Sequence, residues 1–195
     1  MNGTNVVVVF VIIFVGVRVN FNISTPNSGV VGPGFTQNIL DYSVHLHQYG
    51  FDTGRLTSLK YKVKACSDVN VYLSNSLVMD SSMPLYEVSV GGYYNTKMLM
   101  LRRSDDSLQR ETMIDVFPGG ISTNADSDRL NCNKYMSFWV SWKRGHLKLG
   151  SGNTVHVNVI GDWVDPFPFT VRSIGISTTW GSTGKWKIQI KGRII

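Results

Sequence analysis

The chain has 195 residues, 43% of them hydrophobic and only 16% charged, with a net charge of +6. That length supports one domain with its own core, and the low charged fraction excludes a disordered chain. The 19 Lys and Arg against 13 Asp and Glu favour an acidic partner (anionic glycan, anionic lipid surface or nucleic acid) without selecting one, and a mildly basic protein with no charged partner fits equally well.

Val6–Val17 is an uninterrupted apolar run, VVVVFVIIFVGV. It has the length of a secretory h-region and falls short of the roughly 20 residues that span a bilayer. Residues 1–19 are therefore expected to be a signal peptide, ending near Gly16 or Asn20, although Met1–Asn5 holds no Lys or Arg. An uncleaved anchor and a buried first strand are the alternatives. Asn22-Ile23-Ser24 is a glycosylation sequon on a secreted chain. Asn2-Gly3-Thr4 has the same pattern inside the expected signal. Residues 20–36, rich in Asn, Ser, Gly and Pro and ending Gly32-Pro33-Gly34, read as a flexible lead-in. Residues 20–55 are taken as this lead-in with the first strand or strands, and 56–193 as the main domain.

Leu59, Tyr61 and Val63 alternate with Lys60, Lys62 and Lys64, the pattern of a half-buried strand with a basic outer face. Cys66 follows. In an oxidising compartment its natural partner is Cys132, with two separate buried thiols as the alternative. Two distant cysteines do not make a zinc site. Strands are expected at Val69–Leu73, Leu85–Val90 and Lys97–Arg103, with Gly91-Gly92 breaking the chain before the last. Residues 104–129 read as polar loop with a Pro118-Gly119-Gly120 turn, and Asp105–Met113 has room for one short helical turn. Five further strands are expected: Tyr135–Trp142, His146–Leu149, Val155–Ile160, Phe169–Ser177 and Lys185–Ile190. Many short strands, Gly/Pro turns and almost no helix predict an all-β, antiparallel β-sandwich of jelly-roll-like form.

Several blocks then occur in order. They are Val63–Leu73 (VKACSDVNVYL), Tyr86–Lys97 (YEVSVGGYYNTK), Arg102-Arg103, Phe138–Trp142 (FWVSW) with Gly145 and Leu149-Gly150, Asp165–Phe169 (DPFPF) and Thr179–Trp186 (TWGSTGKW). Over about residues 56–191 the chain resembles the farnesoic acid O-methyltransferase domain family. It departs from the family pattern at Tyr93-Tyr94, where Trp-Gly is common, and at Thr178-Thr179, where Thr-Gly precedes the Trp-Gly pair. The resemblance implies methyl transfer from S-adenosylmethionine to the carboxylate of farnesoic acid.

The residues themselves do not carry that chemistry. Sites for adenosyl cofactors usually place a Gly-rich turn between a strand and a helix N-terminus. Gly29–Gly34 follows no predicted strand, and Gly91-Gly92 leads to another strand. His45 and His47 share a strand face as a metal pair does, but no further ligand lies nearby, so a solvated face is the simpler reading. Asp68, Glu87, Asp162 and Asp165 are candidates for a carboxylate pair, and Asp165-Pro166 is more simply a turn opener. No cofactor, metal or catalytic residue is expected.

The aromatic residues favour binding. Phe138, Val140 and Trp142 alternate onto one face and Trp139 and Ser141 onto the other, so most of the tryptophans belong to the core. Tyr93 and Tyr94 after Gly91-Gly92, and Trp180 beside Gly181, fall in turns. With Asn95, Thr96 and Lys97 as hydrogen-bonding groups they form a candidate ligand site for a sugar ring or an apolar ligand; the alternative is turn residues folded back over the core. The expected protein is a secreted, disulfide-bonded recognition module for a glycan or an extracellular protein, with no nucleic-acid partner and no stable membrane span. The alternatives are the methyltransferase named by the family and a structural secreted protein.

Overall fold

The computed structural model describes residues 17–29, 39–50, 52–106 and 113–192. Among these, thirteen strands form: β1 (Val17–Thr25), β2 (Val44–His45), β3 (Ser58–Lys64), β4 (Val69–Ser74), β5 (Leu85–Gly91), β6 (Lys97–Arg103), β7 (Met113–Asp115), β8 (Ile121–Ser122), β9 (Met136–Lys143), β10 (His146–Ser151), β11 (Val159–Val164), β12 (Ser173–Thr178) and β13 (Gly184–Gly192). They build two antiparallel sheets. One has the order β1-β13-β3-β9-β10-β11; the other runs β2-β12-β4-β5-β6-β7, with β8 also on β6. β3 pairs with β13 in the first sheet while the next strand in sequence, β4, pairs with β12 in the second. A ribbon that crosses between two sheets in this way is the wrapping of a jelly-roll sandwich.

The core lies between the sheets, where alternation places it. Leu59, Tyr61, Val63, Phe138, Val140, Trp142, Trp186 and Ile188 face Val71, Leu73, Tyr86, Val88, Met100, Ile174 and Ile176. Trp139 points the opposite way and is still fully buried. Its indole Nε1–H donates to the Val157 carbonyl at 2.9 Å, and His156 meets the ring edge-on. Gly150 is its cross-strand partner, and a Cβ there would stand 2.3 Å from the indole. A side chain at 150 would therefore expel the tryptophan.

This lid corrects one expectation. Residues 152–158 are irregular and cover Trp139, so the strand expected over 155–160 begins only at Val159 and runs to Val164. The strand expected over 169–177 likewise starts late, at Ser173, because Asp165 and its neighbours form a separate loop. The polar stretch 104–129 is not all loop, since β7 and β8 add to the edge of β6. Of the expected helical turn at 105–113, residues 107–112 lie outside the described residues and Met113 opens β7. The flexible lead-in is corrected over 20–25, which pairs along β13 in continuous register from Val17↔Gly192 to Thr25↔Gly184. Within β1, Ile23 is buried, while Asn20, Asn22 and Ser24 are exposed. Residues 1–16 of the expected signal lie outside the described residues. Val17–Val19 belong to β1.

Among the described residues no helix is long and apolar enough to cross a membrane. Cys66 and Cys132 form the disulfide. Both strands that precede residue 56, β1 and β2, are integral to the sheets.

Candidate functional site at the loop end of the sandwich

Strand direction brings three turns to one end of the sandwich: β3–β4, β5–β6 and β12–β13. They are joined through the backbone of Asp68. Its N–H donates to the Gly91 carbonyl (3.1 Å), and its carbonyl accepts from Thr179 N–H (3.1 Å). Ser67 N–H donates to the Ser182 hydroxyl at 3.3 Å. Asp68 thus braces the Tyr93-Tyr94 turn against the Trp180 turn. Burial raises its carboxyl above the ordinary carboxylate value, and a hydrogen bond from Ser67 pulls the other way.

The β5–β6 connection has an unusual backbone. Tyr93 (φ 49°, ψ 63°) and Tyr94 (φ 60°, ψ 40°) lie in the left-handed region, and Asn95 follows at φ 63°. Thr96 N–H closes the turn on the Gly92 carbonyl at 3.0 Å. Left-handed backbone costs about 1–2 kcal/mol for each residue with a Cβ, and runs of it are rare. Gly91, at φ 78°, introduces the turn, and a Cβ there would stand 2.4 Å from Leu130. Asp68 and Trp180 are left-handed as well. Five of the nine non-glycine residues with positive φ among those described therefore fall in these three turns.

The sequence-predicted site residues divide into two groups. Tyr94 is 97% exposed, Tyr93 67% and Trp180 53%, so their rings are not folded back over the core. Asn95, Thr96 and Lys97 hold the scaffold. Asn95 Nδ2–H donates to the Leu130 carbonyl (2.9 Å), and its Oδ1 accepts from Leu130 N–H (3.0 Å). The Thr96 hydroxyl donates to the Tyr93 carbonyl (2.6 Å), and Lys97 Nζ donates to the Ser122 hydroxyl (2.7 Å). The Cys66–Cys132 bond, two residues beyond Leu130, anchors the same segment to the β3–β4 turn.

The two hydrogen bonds of Asn95 carry a prediction. Asn95→Ala removes both and leaves an alanine in left-handed backbone. The expected loss is about 2 kcal/mol, or a Tm lower by roughly 4–8 °C in thermal denaturation. Asn95→Asp keeps the acceptor and is expected to fall between; equal melting of all three proteins would refute the anchoring role.

Two residues of this end escaped sequence reasoning in their actual role. Asp68 stood among the carboxylates and is a brace. Asn27 shapes the Trp180 turn, its Oδ1 accepting from Gly29 N–H and Gly181 N–H, each at 3.0 Å. The local signal was the Asn27-Ser28-Gly29 spacing of an Asx turn. Asn22 sits exposed on the edge strand β1.

The remaining carboxylates each have their own partners. Glu87 pairs with Arg103 at 2.7 Å. Asp165 accepts from the Tyr86 hydroxyl (2.6 Å) and from Arg102 Nε–H (3.0 Å). Asp162 meets Lys148 and His146, which hold its carboxyl below the ordinary value. His45 and His47 do not share a strand face, because β2 ends at His45 and His47 belongs to a 3-10 turn. Their rings lie 5.6 Å apart, and among the described residues no group of three metal-ligating side chains forms. Gly91-Gly92 enters the left-handed turn and does not open a helix N-terminus, so this turn does not fit the phosphate- or nucleotide-cradling geometry of adenosyl cofactor sites.

Fold and loop end together define a β-sandwich whose exposed aromatic residues are carried on braced turns. The chain belongs to the family described as farnesoic acid 0-methyl transferase, whose model matches residues 42–191. The match begins upstream of the span 56–191 read from motifs. No curated protein matches the chain. Among solved structures it is similar to a Bacillus licheniformis β-glucanase, at 10% identity and a TM-score of 0.44. It is also similar to a prokaryotic β-1,3-1,4-glucanase (lichenase) derived from a mouse hindgut metagenome, at 9% identity and a TM-score of 0.43. Each alignment covers 70% of this chain and 66% of the other, so the chain spans just under two thirds of either glucanase.

Proposed function

We propose that this protein is a secreted recognition module that binds a glycan through its loop end and does not catalyse a reaction. The observation that carries this reading is the exposure of Tyr93, Tyr94 and Trp180 on left-handed backbone. Strain of this kind persists only where the surrounding structure over-determines it, and it concentrates at binding and catalytic sites. An aromatic ring offers a flat apolar face to the C–H side of a sugar ring, and nearby polar groups take its hydroxyls. Asp68 is the nearby acceptor, its Oδ1 lying 4.0 Å from where a Gly92 Cβ would stand. Lys97 has donor protons beyond the one given to Ser122. Asn95 and Thr96 act as the frame. The disulfide and the Asn22 sequon accord with an extracellular address.

The test is a glycan array followed by titration of the hits with Tyr94→Ala and Trp180→Ala. Both side chains are exposed, so folding stability is expected to change by no more than about 0.5 kcal/mol. Affinity is expected to fall roughly tenfold for each, about 1.4 kcal/mol. Unchanged affinity in both variants, or an array without a hit, overturns the reading; a hit among extracellular proteins that is lost with the same substitutions makes the partner a protein. Family membership favours a second reading, methyl transfer from S-adenosylmethionine. Specific binding of S-adenosylmethionine in calorimetric titration would establish it over the first.

A further inference from the structure

A second surface, separate from the loop end, lies on the solvent face of the six-stranded sheet. On β3 and β13 the inward residues are Tyr61, Val63, Trp186 and Ile188, so Lys62, Lys64, Lys185 and Lys187 face outward. Register sets Lys185 directly opposite Lys64, and Lys187 opposite Lys62. Directly opposed side chains stand about 4.5–5.5 Å apart at Cβ, and like charges so placed destabilise a sheet. Neighbours along one strand are about 7 Å apart. The result is a compact two-by-two array of ammonium groups, and among the described residues none of the four is in an ion pair. Tyr135 orders the array. Lys187 Nζ lies 4.4 Å from its ring centroid and Lys64 Nζ, diagonally across, 5.7 Å. One ring thus holds two cations by cation–π attraction and leaves them their charge.

Stability does not account for two lysine–lysine pairs side by side without a counter-ion. We infer that this face is a docking surface for a linear anionic glycan whose sulfate or carboxylate groups supply the missing charge. Charge complementarity requires a polyanion, and the rest of the face selects the kind. Asn20, Asn22 and Ser24 on the adjoining β1 are exposed and polar, suited to sugar hydroxyls. No large hydrophobic residue is exposed on β1, β3 or β13 among the described side chains, so nothing on these strands inserts into a lipid layer. The Cys66–Cys132 bond accords with the extracellular address of the proposed function, on which this choice of a sulfated or carboxylated sugar over nucleic acid rests. This surface shares no residue with the loop-end site.

The test compares the full chain with Lys62→Glu/Lys185→Glu, in titrations against heparin, neutral dextran, duplex DNA and vesicles containing phosphatidylserine. The double substitution turns each like-charged cross-strand pair into an opposite-charged one, so its melting temperature is expected to hold or rise. The unsubstituted protein is expected to bind heparin in preference to the other three probes, with affinity falling steeply as salt rises toward about 0.15 M. The variant is expected to lose on the order of tenfold or more at low salt. Tyr94→Ala is expected to bind heparin as the unsubstituted protein does, which separates this surface from the loop-end site. Undiminished heparin binding by the folded variant overturns the inference, as does binding to dextran, vesicles or DNA at least as tight as to heparin.

Discussion

Arg103→Ala is expected to destabilise the protein by about 3–5 kcal/mol, the usual cost of leaving a buried charge without its partner. Glu87 and Arg103 lie on the face of the seven-stranded sheet opposite the core, yet only 9% and 5% of their surfaces are exposed. Arg103 donates from Nε at 2.8 Å and from Nη2 at 2.7 Å, both to Glu87 Oε2. Burial alone pulls the guanidinium down; the Glu87 carboxylate more than offsets this and holds the guanidinium above its ordinary value. Removal of the guanidinium leaves a largely buried carboxylate without its cation. Arg103→Lys keeps the charge but loses the planar fork, and is expected to cost less. Glu87→Leu/Arg103→Leu removes both charges and is expected to be close to neutral. Urea unfolding of the unsubstituted protein, Glu87→Leu, Arg103→Leu and the double-leucine variant closes a cycle whose coupling energy isolates the pair. A loss below about 1 kcal/mol in Arg103→Ala would show that water reaches Glu87.

The second large effect belongs to the disulfide. Cys66→Ser/Cys132→Ser opens a loop of sequence separation 66, which chain entropy values at about 4 kcal/mol. That loop contains β4 to β8, the greater part of the seven-stranded sheet. The cross-link therefore limits the unfolded freedom of a whole sheet. Its position adds a local effect, because Leu130 grips Asn95 two residues before Cys132. Hydrogen exchange in the double-serine protein is expected to accelerate most over residues 91–97 and 129–135, and least in the centre of β9. Equal stability of the oxidised and double-serine proteins in urea would overturn the entropic account. Uniform acceleration would overturn the local one.

Much of the architecture was legible locally. Leu59, Tyr61 and Val63 alternate with three lysines because one face of β3 is buried, and β13 follows the same rule with Trp186 and Ile188 between Lys185, Lys187 and Gln189. β1 was misread because its Asn and Ser residues resemble a linker, although they are the exposed half of a strand that gains order only from β13. β11 was placed four residues early because Val155 and Val157 look like strand; they belong instead to the lid over Trp139. Glu87 was read as available for chemistry because a carboxylate in sequence carries no sign of the arginine sixteen residues later that neutralises it.

The loop end divides in the same way. Gly91-Gly92, the paired tyrosines and Trp180-Gly181 mark turns by composition alone, since glycine and short polar residues admit left-handed backbone. Their meeting at one end, braced by Asp68 and tied down through Leu130, depends on strand directions and on partners far away in the chain. Alternation determines which face a side chain occupies, because the strand period is two. The residue it stands beside is decided by register between strands more than a hundred positions apart. That is why β3 and β13 each announce a basic face in sequence, whereas the lysine array around Tyr135 exists only once the sandwich has closed.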